Sequence, residues 1–268
     1  MCCKFNLKAS VKILNIHINN VSVQEMLTNL EQGVVLTPNV DHLMKLQHDV
    51  DFFHIYKSAD YRVCDSQILL YASRFLGTPL QEKISGSDFF PAFYEFHADN
   101  EDVRIFLLGG LEGVPDKAAA AINQKIGRKI IVDFYSPPFG FEADEQECLA
   151  FVERISRSGA TVLAVAVGAP KQEKWIYSYK HHLPTIKIFM AIGATVDFEA
   201  GVISRAPSWM SRLGIEWLYR LMSEPNRLWK RYFIDDLPFF YLLLKQRLSL
   251  YKNPLTSSGQ DRQDPTGL

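Results

Sequence analysis

The chain has little that would mark a secreted, zinc-binding or membrane-spanning protein. Its 268 residues include four cysteines, Cys2, Cys3, Cys64 and Cys148. None forms a C-x-x-C pair, and no histidine stands at zinc-finger spacing from them, which argues against a structural metal. Four free thiols in a reducing cytoplasm are expected, and only the position beside Met1 favours lipidation of Cys2 and Cys3. No charged segment leads into an apolar one at the N-terminus, so no signal peptide is expected. The longest apolar stretch, residues 237–244, falls far short of the roughly 20 residues that a spanning helix needs. Net charge is missing too. With 29 basic and 30 acidic side chains the sum is -1, which gives no reason to expect nucleic acid.

What is present is an ordinary globular mixture, 47% apolar and 22% charged, enough for one sizeable core with an appendage. Short β-rich apolar runs alternate with helix-like segments. Strands are expected at residues 11–16, 34–36, 61–64, 103–108, 129–134, 161–167 and 187–192. Ser22 with Glu25 reads as a capping box opening the first helix, and an amphipathic helix should follow Thr37-Pro38-Asn39. Further helices are expected at residues 67–75, 88–97 and 144–155, and after Gly109-Gly110. Continuous apolar strands suit a parallel sheet buried on both faces, so the fold class is α/β, a Rossmann-like, mostly parallel sheet flanked by helices.

From about residue 205 the texture changes, and arginines and lysines interleave with Trp209, Trp217, Tyr219, Trp229, Tyr232 and Phe233. Pro207, Pro225 and Pro238 should divide this part into short helices. Such a composition suits a helix at a membrane interface, an RNA-binding surface, or helices packed on the core with their cations solvated. The apolar run at residues 237–244 favours membrane or protein contact. The expected organisation is an α/β core at 1–204, a basic-aromatic helical appendage at 205–252 and a disordered tail at 253–268.

Ligands of open α/β sheets bind outside the carboxyl ends of the strands. Thr37, Asn39, Asp65, Gly109, Gly110, Gly168 and Gly193 each follow an apolar strand and should meet along that rim. Asp65 is the one carboxylate set directly at such a strand end. It could serve as a general base or simply cap the next helix. The Gly109-Gly110 turn resembles a phosphate-cradling loop without the full G-x-G-x-x-G spacing. Lys171, Gln172 and Glu173 crowd a first helical turn, where they could meet phosphate, ribose or base. Asp49-Val50-Asp51 has the form of a metal-holding acidic pair, but lies in a helical stretch and reads as a solvated helix start. Neither it nor His181-His182 is expected to bind metal, and no cofactor is expected.

Taken together, these residues resemble the TagA/WecG/CpsF family of glycosyltransferases. The matching pieces are Thr37-Pro38-Asn39, Asp65, Gly86-Ser87-Asp88, Gly109-Gly110, the G-A-P-K-Q-E-K-W string from Gly168 to Trp175, and the string from Ile192 to Phe198. Arg205-Ala206-Pro207 and the E-W-L-Y-R-L string at Glu216 complete them. The match runs from about residue 11 to 247. The resemblance implies inverting, metal-independent transfer from a uridine-diphosphate hexose, N-acetylhexosamine or hexuronic acid. The implied acceptor is a saccharide on undecaprenyl diphosphate, met by a peripheral protein at the cytoplasmic membrane surface. It makes Asp65 the base and has Thr37 and Asn39 shape the sugar pocket. Gly109, Gly168, Gln172, Glu173 and Asp197 would hold the nucleotide, with Ser87, Gly110 and Lys171 as further substrate-binding residues. Arg205, Arg212 and Arg220 would assist from the closing C-terminal part. The family carries Gly after its catalytic Asp, where this chain has Ser66, a small residue able to cap the next helix. A nicotinamide-dependent oxidoreductase and a non-catalytic nucleotide-sugar scaffold are the rival readings. Self-association into a homo-oligomer stays open.

Overall fold

The computed structural model describes residues 9–206, 210, 215–223 and 225–255; Cys2, Cys3, Pro207, Trp209, Arg212 and residues 256–268 lie outside them. The chain opens with a correction to the expected first strand. Residues 11–16 are not one strand but parts of two, β1 (Ser10–Ile13) and β2 (Ile16–Asn19), paired antiparallel. The apolar pattern carries the reason: Val11 and Ile13 face inward, as do Ile16 and Ile18, and the alternation breaks between the two pairs. Leu14 turns the chain there with φ 52°.

Helix α1 (Val23–Asn29) begins with the expected capping box: Glu25 N–H donates to Ser22 Oγ at 3.2 Å, and Ser22 N–H donates to the Glu25 carboxylate at 2.7 Å. Strand β3 (Gly33–Leu36) leads into the helix expected after Asn39, which is two helices, α2 (Val40–Lys45) and α3 (Val50–Ser58). Asp49 divides them, because its carboxylate accepts the Phe52 N–H at 2.9 Å and caps α3. The acidic pair at 49 and 51 is thus a helix start, as its sequence setting suggests.

Strands β4 (Tyr61–Arg62), β5 (Ile105–Gly109), β6 (Ile131–Tyr135), β7 (Val162–Ala166) and β8 (Ile188–Ala191) join β3 in a six-stranded parallel sheet of order β4-β3-β8-β7-β5-β6. Period-two burial assigns the two faces. Phe106, Leu108, Leu163, Val165 and Phe189 enter one core, whereas Ile105, Leu107, Val162, Ala164 and Ile188 enter the other. The first core is covered by α2, α3, α4 (Gln67–Phe75), α7 (Glu145–Arg157) and α8 (Lys171–Tyr179). The second is covered by α1, α5 (Gly86–Phe96), α6 (Val114–Ile126) and α9 (Thr195–Glu199). The α/β fold read from the sequence is the fold observed.

The C-terminal helices are α10 (Glu216–Ser223), α11 (Pro225–Lys230) and α12 (Pro238–Arg247), with a π-helical turn at Arg231–Asp235. Phe239 is fully buried in the first core beside Leu243. Gln246 locks α12 to the hairpin, accepting the Leu14 N–H at 2.7 Å and donating to Lys12 O at 2.8 Å. Beyond it, Tyr251 Oη donates to Gln47 Oε1 at 2.6 Å, and Leu255 packs against the same core.

Candidate active site

The carboxyl ends of β3, β4, β7 and β8 open onto one cavity of about 790 Å³. Parallel strands bring every following loop to the same edge, so residues far apart in the chain meet there. From β3 come Thr37, whose hydroxyl donates to Ala191 O on β8 at 3.5 Å, and Asn39, whose Oδ1 accepts the His42 N–H at 3.2 Å and caps α2. From β4 comes Asp65, its N–H donating to Pro38 O at 3.1 Å. The helix cap of α4 is supplied by the next residue, Ser66, whose Oγ accepts the Ile68 N–H at 3.2 Å. The capping reading of Asp65 therefore falls to its neighbour, and Asp65 is part of the cavity wall.

Ser85 caps α5 and stands 3.1 Å from Ser87, both on the wall with Lys83. Gly168, Gln172 and Gly193 line the side formed by the β7 and β8 loops. The remaining wall comes from the C-terminal part, through Trp217, Arg231, Phe233, Asp236, Leu237 and Phe240.

Charge in this cavity is arranged around α2 and the π-helical turn. Arg231 lies 3.5 Å from Asp41 and 3.8 Å from Asp236, and Lys45 lies 2.5 Å from Asp41. Burial alone would raise Asp41, but Arg231 and Lys45 outweigh it and hold the carboxyl below its ordinary value. For Asp236 burial wins over Arg231 and lifts it to about 6. His42 is driven by burial to about 3, so it is neutral at pH 7 and shares a 2.8 Å hydrogen bond between Nδ1 and Tyr56 Oη.

At the base of α8, Gln172 Oε1 accepts the Gly193 N–H at 3.2 Å, and its Nε2 donates to Glu173 Oε1 at 2.9 Å. Glu173 is 1% exposed, and burial raises its carboxyl from 4.5 to about 7. Between these values the folded state keeps a proton that the unfolded chain has released, so stability falls as pH rises through the window and stays low above it. A shift from 4.5 to about 7 corresponds to about 3 kcal/mol. Glu173→Gln should therefore raise stability by about that amount at pH 8 and hardly change it at pH 4, read as urea midpoints at the two pH values.

The structure brings Thr37, Asn39, Asp65, Ser87, Gly168 and Gln172 together and places other expected residues elsewhere. Gly109 packs against β7, where a Cβ would stand 2.5 Å from Ala166 backbone atoms, and Gly110 turns the chain with φ 80° toward α6; neither lines the cavity. Lys171 pairs with Glu142 and lies over the Phe139 ring, facing the β6–α7 loop. Glu173 is buried behind Gln172, and Asp197 sits in α9 beside the cavity residue Phe198. Arg205 is exposed at the rim, donating to Ser87 O and lying 5.6 Å over the Phe198 ring. Arg220 belongs to α10, and Arg212 lies outside the described residues. The sequence reading missed His42, Lys45, Lys83 and Arg231 as wall residues. Arg231 was one unsorted cation among many, and Lys83 stands in a segment without periodicity.

Fold and cavity define an α/β enzyme whose site lies at the carboxyl ends of a parallel sheet and is lined by polar, charged and aromatic side chains. Comparison with known proteins makes the class specific. The model of the WecG/TagA/CpsF glycosyltransferase family matches residues 11–253, and the chain belongs to that family; it is a glycosyltransferase. It is 31% identical over 199 residues, 74% of each chain, to the N-acetylglucosaminyldiphosphoundecaprenol N-acetyl-beta-D-mannosaminyltransferase of Bacillus subtilis (strain 168).

Proposed function

We propose that the protein is an inverting transferase that moves one sugar from a uridine-diphosphate donor to a saccharide carried on a polyprenyl diphosphate, with Asp65 as the general base. N-acetylmannosamine, the sugar named for the Bacillus relative, is the first donor sugar to test. The observation that carries the reading is the place of Asp65: on the cavity wall after β4, with Thr37 and Asn39 in the connection after neighbouring β3 and Gly168 and Gly193 on the β7 and β8 loops. An acceptor hydroxyl between these groups gives its proton to Asp65 as its oxygen bonds to the anomeric carbon. The bond from that carbon to the diphosphate breaks on the opposite face, and uridine diphosphate leaves with the electron pair. Lys83, 3.3 Å from Asp88, and Arg231, between Asp41 and Asp236, are cations lining the cavity, and stabilisation of the leaving group by such charge in place of a metal is part of this reading.

The donor nucleotide fits best toward β5 and β7. The connection after β5 runs outward to β6, and the one after β7 runs the other way to β8, which makes this crevice the switch point of the sheet. Gly168, directly after β7, lines the cavity next to this point. The acceptor then enters from the C-terminal side, where the first two turns of α12 carry apolar side chains on every face. Phe239 and Leu243 face the core, whereas Leu237, Phe240, Leu244 and Leu248 are about half exposed. None of the helices among the described residues is long and apolar enough to cross a membrane. An exposed apolar strip beside Lys245 and Arg247 supports docking on the cytoplasmic surface of an anionic bilayer, where the lipid-linked acceptor resides.

The test is transfer from a panel of uridine-diphosphate sugars to N-acetylglucosaminyl diphosphoundecaprenol in anionic vesicles. Transfer of one sugar with inversion is expected. Hydrolysis without transfer, or no reaction with any donor, would overturn the reading.

A further inference from the structure

Glu173 is a buried carboxylate that touches no part of the cavity yet stands directly behind one of its walls. It is 1% exposed, and among the described residues its Oε2 has no hydrogen-bond partner. Its Oε1 accepts from Gln172 Nε2 at 2.9 Å. The other end of that amide accepts the Gly193 N–H at 3.2 Å. A backbone N–H can only donate, so the oxygen of the Gln172 amide is fixed toward Gly193 and the –NH2 group toward Glu173. Gln172 is itself 3% exposed and lies in the cavity wall. Both of its polar ends are thus engaged by partners on different elements.

The elements so joined matter. Gln172 stands in the first turn of α8, directly after the loop from β7, and Gly193 is in the loop from β8. These loops leave adjacent central strands through glycines of positive φ, Gly168 at 82° and Gly193 at 56°. Glycines of this kind leave a loop free to choose other conformations, so its shape has to be set by contacts. The Gln172 bridge is such a contact, and Glu173 sets the orientation of the bridge. Above about pH 7, where Glu173 is ionised, a Gln172 turned by a half rotation would aim its –NH2 at the Gly193 N–H and present its oxygen to the Glu173 carboxylate, a repulsive arrangement at both ends.

We propose that Glu173 is a positioning residue of the transferase: it acts through Gln172 to clip the β7 and β8 loops together and so preorganises the donor side of the cavity. This rests on the donor placement above, and it removes Glu173 from the set of direct nucleotide ligands. A buried acid that weakens the fold at neutral pH, where an apolar side chain of similar size would not, is consistent with a task in the site.

The test compares Glu173→Met, Glu173→Gln and Gln172→Ala with the double variant Glu173→Met/Gln172→Ala. Methionine fills the same volume without an acceptor, so loss of the fold does not confound it. Uridine-diphosphate affinity by calorimetry, donor KM and kcat, and hydrogen exchange of the Gly193 amide are read for each. Glu173→Met should weaken nucleotide binding and raise donor KM by about tenfold, the effect of one lost charge-assisted hydrogen bond, with kcat changed less. Glu173→Gln, which can still accept from Gln172, should stay within about threefold of wild type. In the Gln172→Ala background Glu173→Met should add less than about twofold, because its route of action is gone. Gly193 exchange should quicken in Glu173→Met and not in Glu173→Gln. Additive losses, or a Glu173→Met protein with wild-type affinity and protected Gly193, would overturn the proposal. If the wild type does not bind uridine diphosphate at all, the donor reading fails while Gly193 exchange still reports the clip.

Discussion

Asp65→Asn should reduce sugar transfer by about 10²- to 10⁴-fold while leaving uridine-diphosphate affinity within about twofold of wild type. The size follows from the task. A neutral amide of the same shape cannot take the acceptor proton, so the attacking oxygen must lose it to water, and the general-base contribution disappears. The selectivity follows from position. Asp65 lies at the end of β4, on the outer side of β3, whereas the proposed donor position is at the switch point between β5 and β7. The local fold should tolerate the change, because the cap of α4 belongs to Ser66, and asparagine keeps the side-chain shape and the backbone hydrogen bond to Pro38. Single-turnover transfer and calorimetric nucleotide binding on the same preparation check both halves. Equal turnover in the two proteins would reject Asp65 as base. A parallel loss of nucleotide affinity would place it in the donor subsite instead.

Much of this site was legible before any coordinates, and the reason is the parallel sheet. Continuous apolar runs mark strands buried on both faces, and the first polar residue after each run lies on the ligand edge. That logic located Thr37, Asn39, Asp65, Gly168 and Gly193, all of which line the cavity. It failed at Gly109 for a physical cause. A glycine at a strand end can serve a ligand or a neighbouring strand, and Gly109 serves the close approach of β7. It also misjudged depth. Lys171, Gln172 and Glu173 are consecutive, but helical geometry turns them 100° apart, so one meets the β6–α7 loop, one the cavity and one the core. The hairpin at the start escaped because a two-residue turn at Leu14 and Asn15 contains neither glycine nor proline. The break between α2 and α3 was signalled by Asp49, a good cap whose carboxylate also meets Lys174 at 2.6 Å.

The cations of the cavity were the hardest to find, since their pattern is tertiary. Arg231 is distinguished from its basic neighbours only by the two carboxylates that flank it, Asp41 on α2 and Asp236 past the π-helical turn. Those three residues also tie the C-terminal part to the sheet edge. The basic-aromatic region is therefore not uniform: some of its residues form the cavity wall, some face solvent, and two of the α12 side chains belong to the core.

Phe239→Ala should destabilise the protein by about 3–5 kcal/mol, the cost of truncating a fully buried phenylalanine and leaving a cavity behind it. Phe240→Ala, one residue on, should cost less than about 0.5 kcal/mol, because that ring is 52% exposed. The pair asks whether α12 is part of the core or a cover that can lift away. Phe239 and Leu243 share a core with Phe52, Leu69 and Trp175, and Gln246 fastens the far end of the helix to β1 and its turn. If α12 is core, the loss in Phe239→Ala appears in global unfolding by urea with an unchanged slope, and the hairpin loses protection together with the sheet. A cost below about 1 kcal/mol would mean that the helix detaches without the rest noticing. The functional consequence is opposite for the two variants. Phe239→Ala should lose transfer mainly as temperature approaches its lowered midpoint, since Leu237 and Phe240 can wall the cavity only while α12 is seated. Phe240→Ala should keep its midpoint and lose transfer at every temperature, because the ring it removes lines the cavity itself.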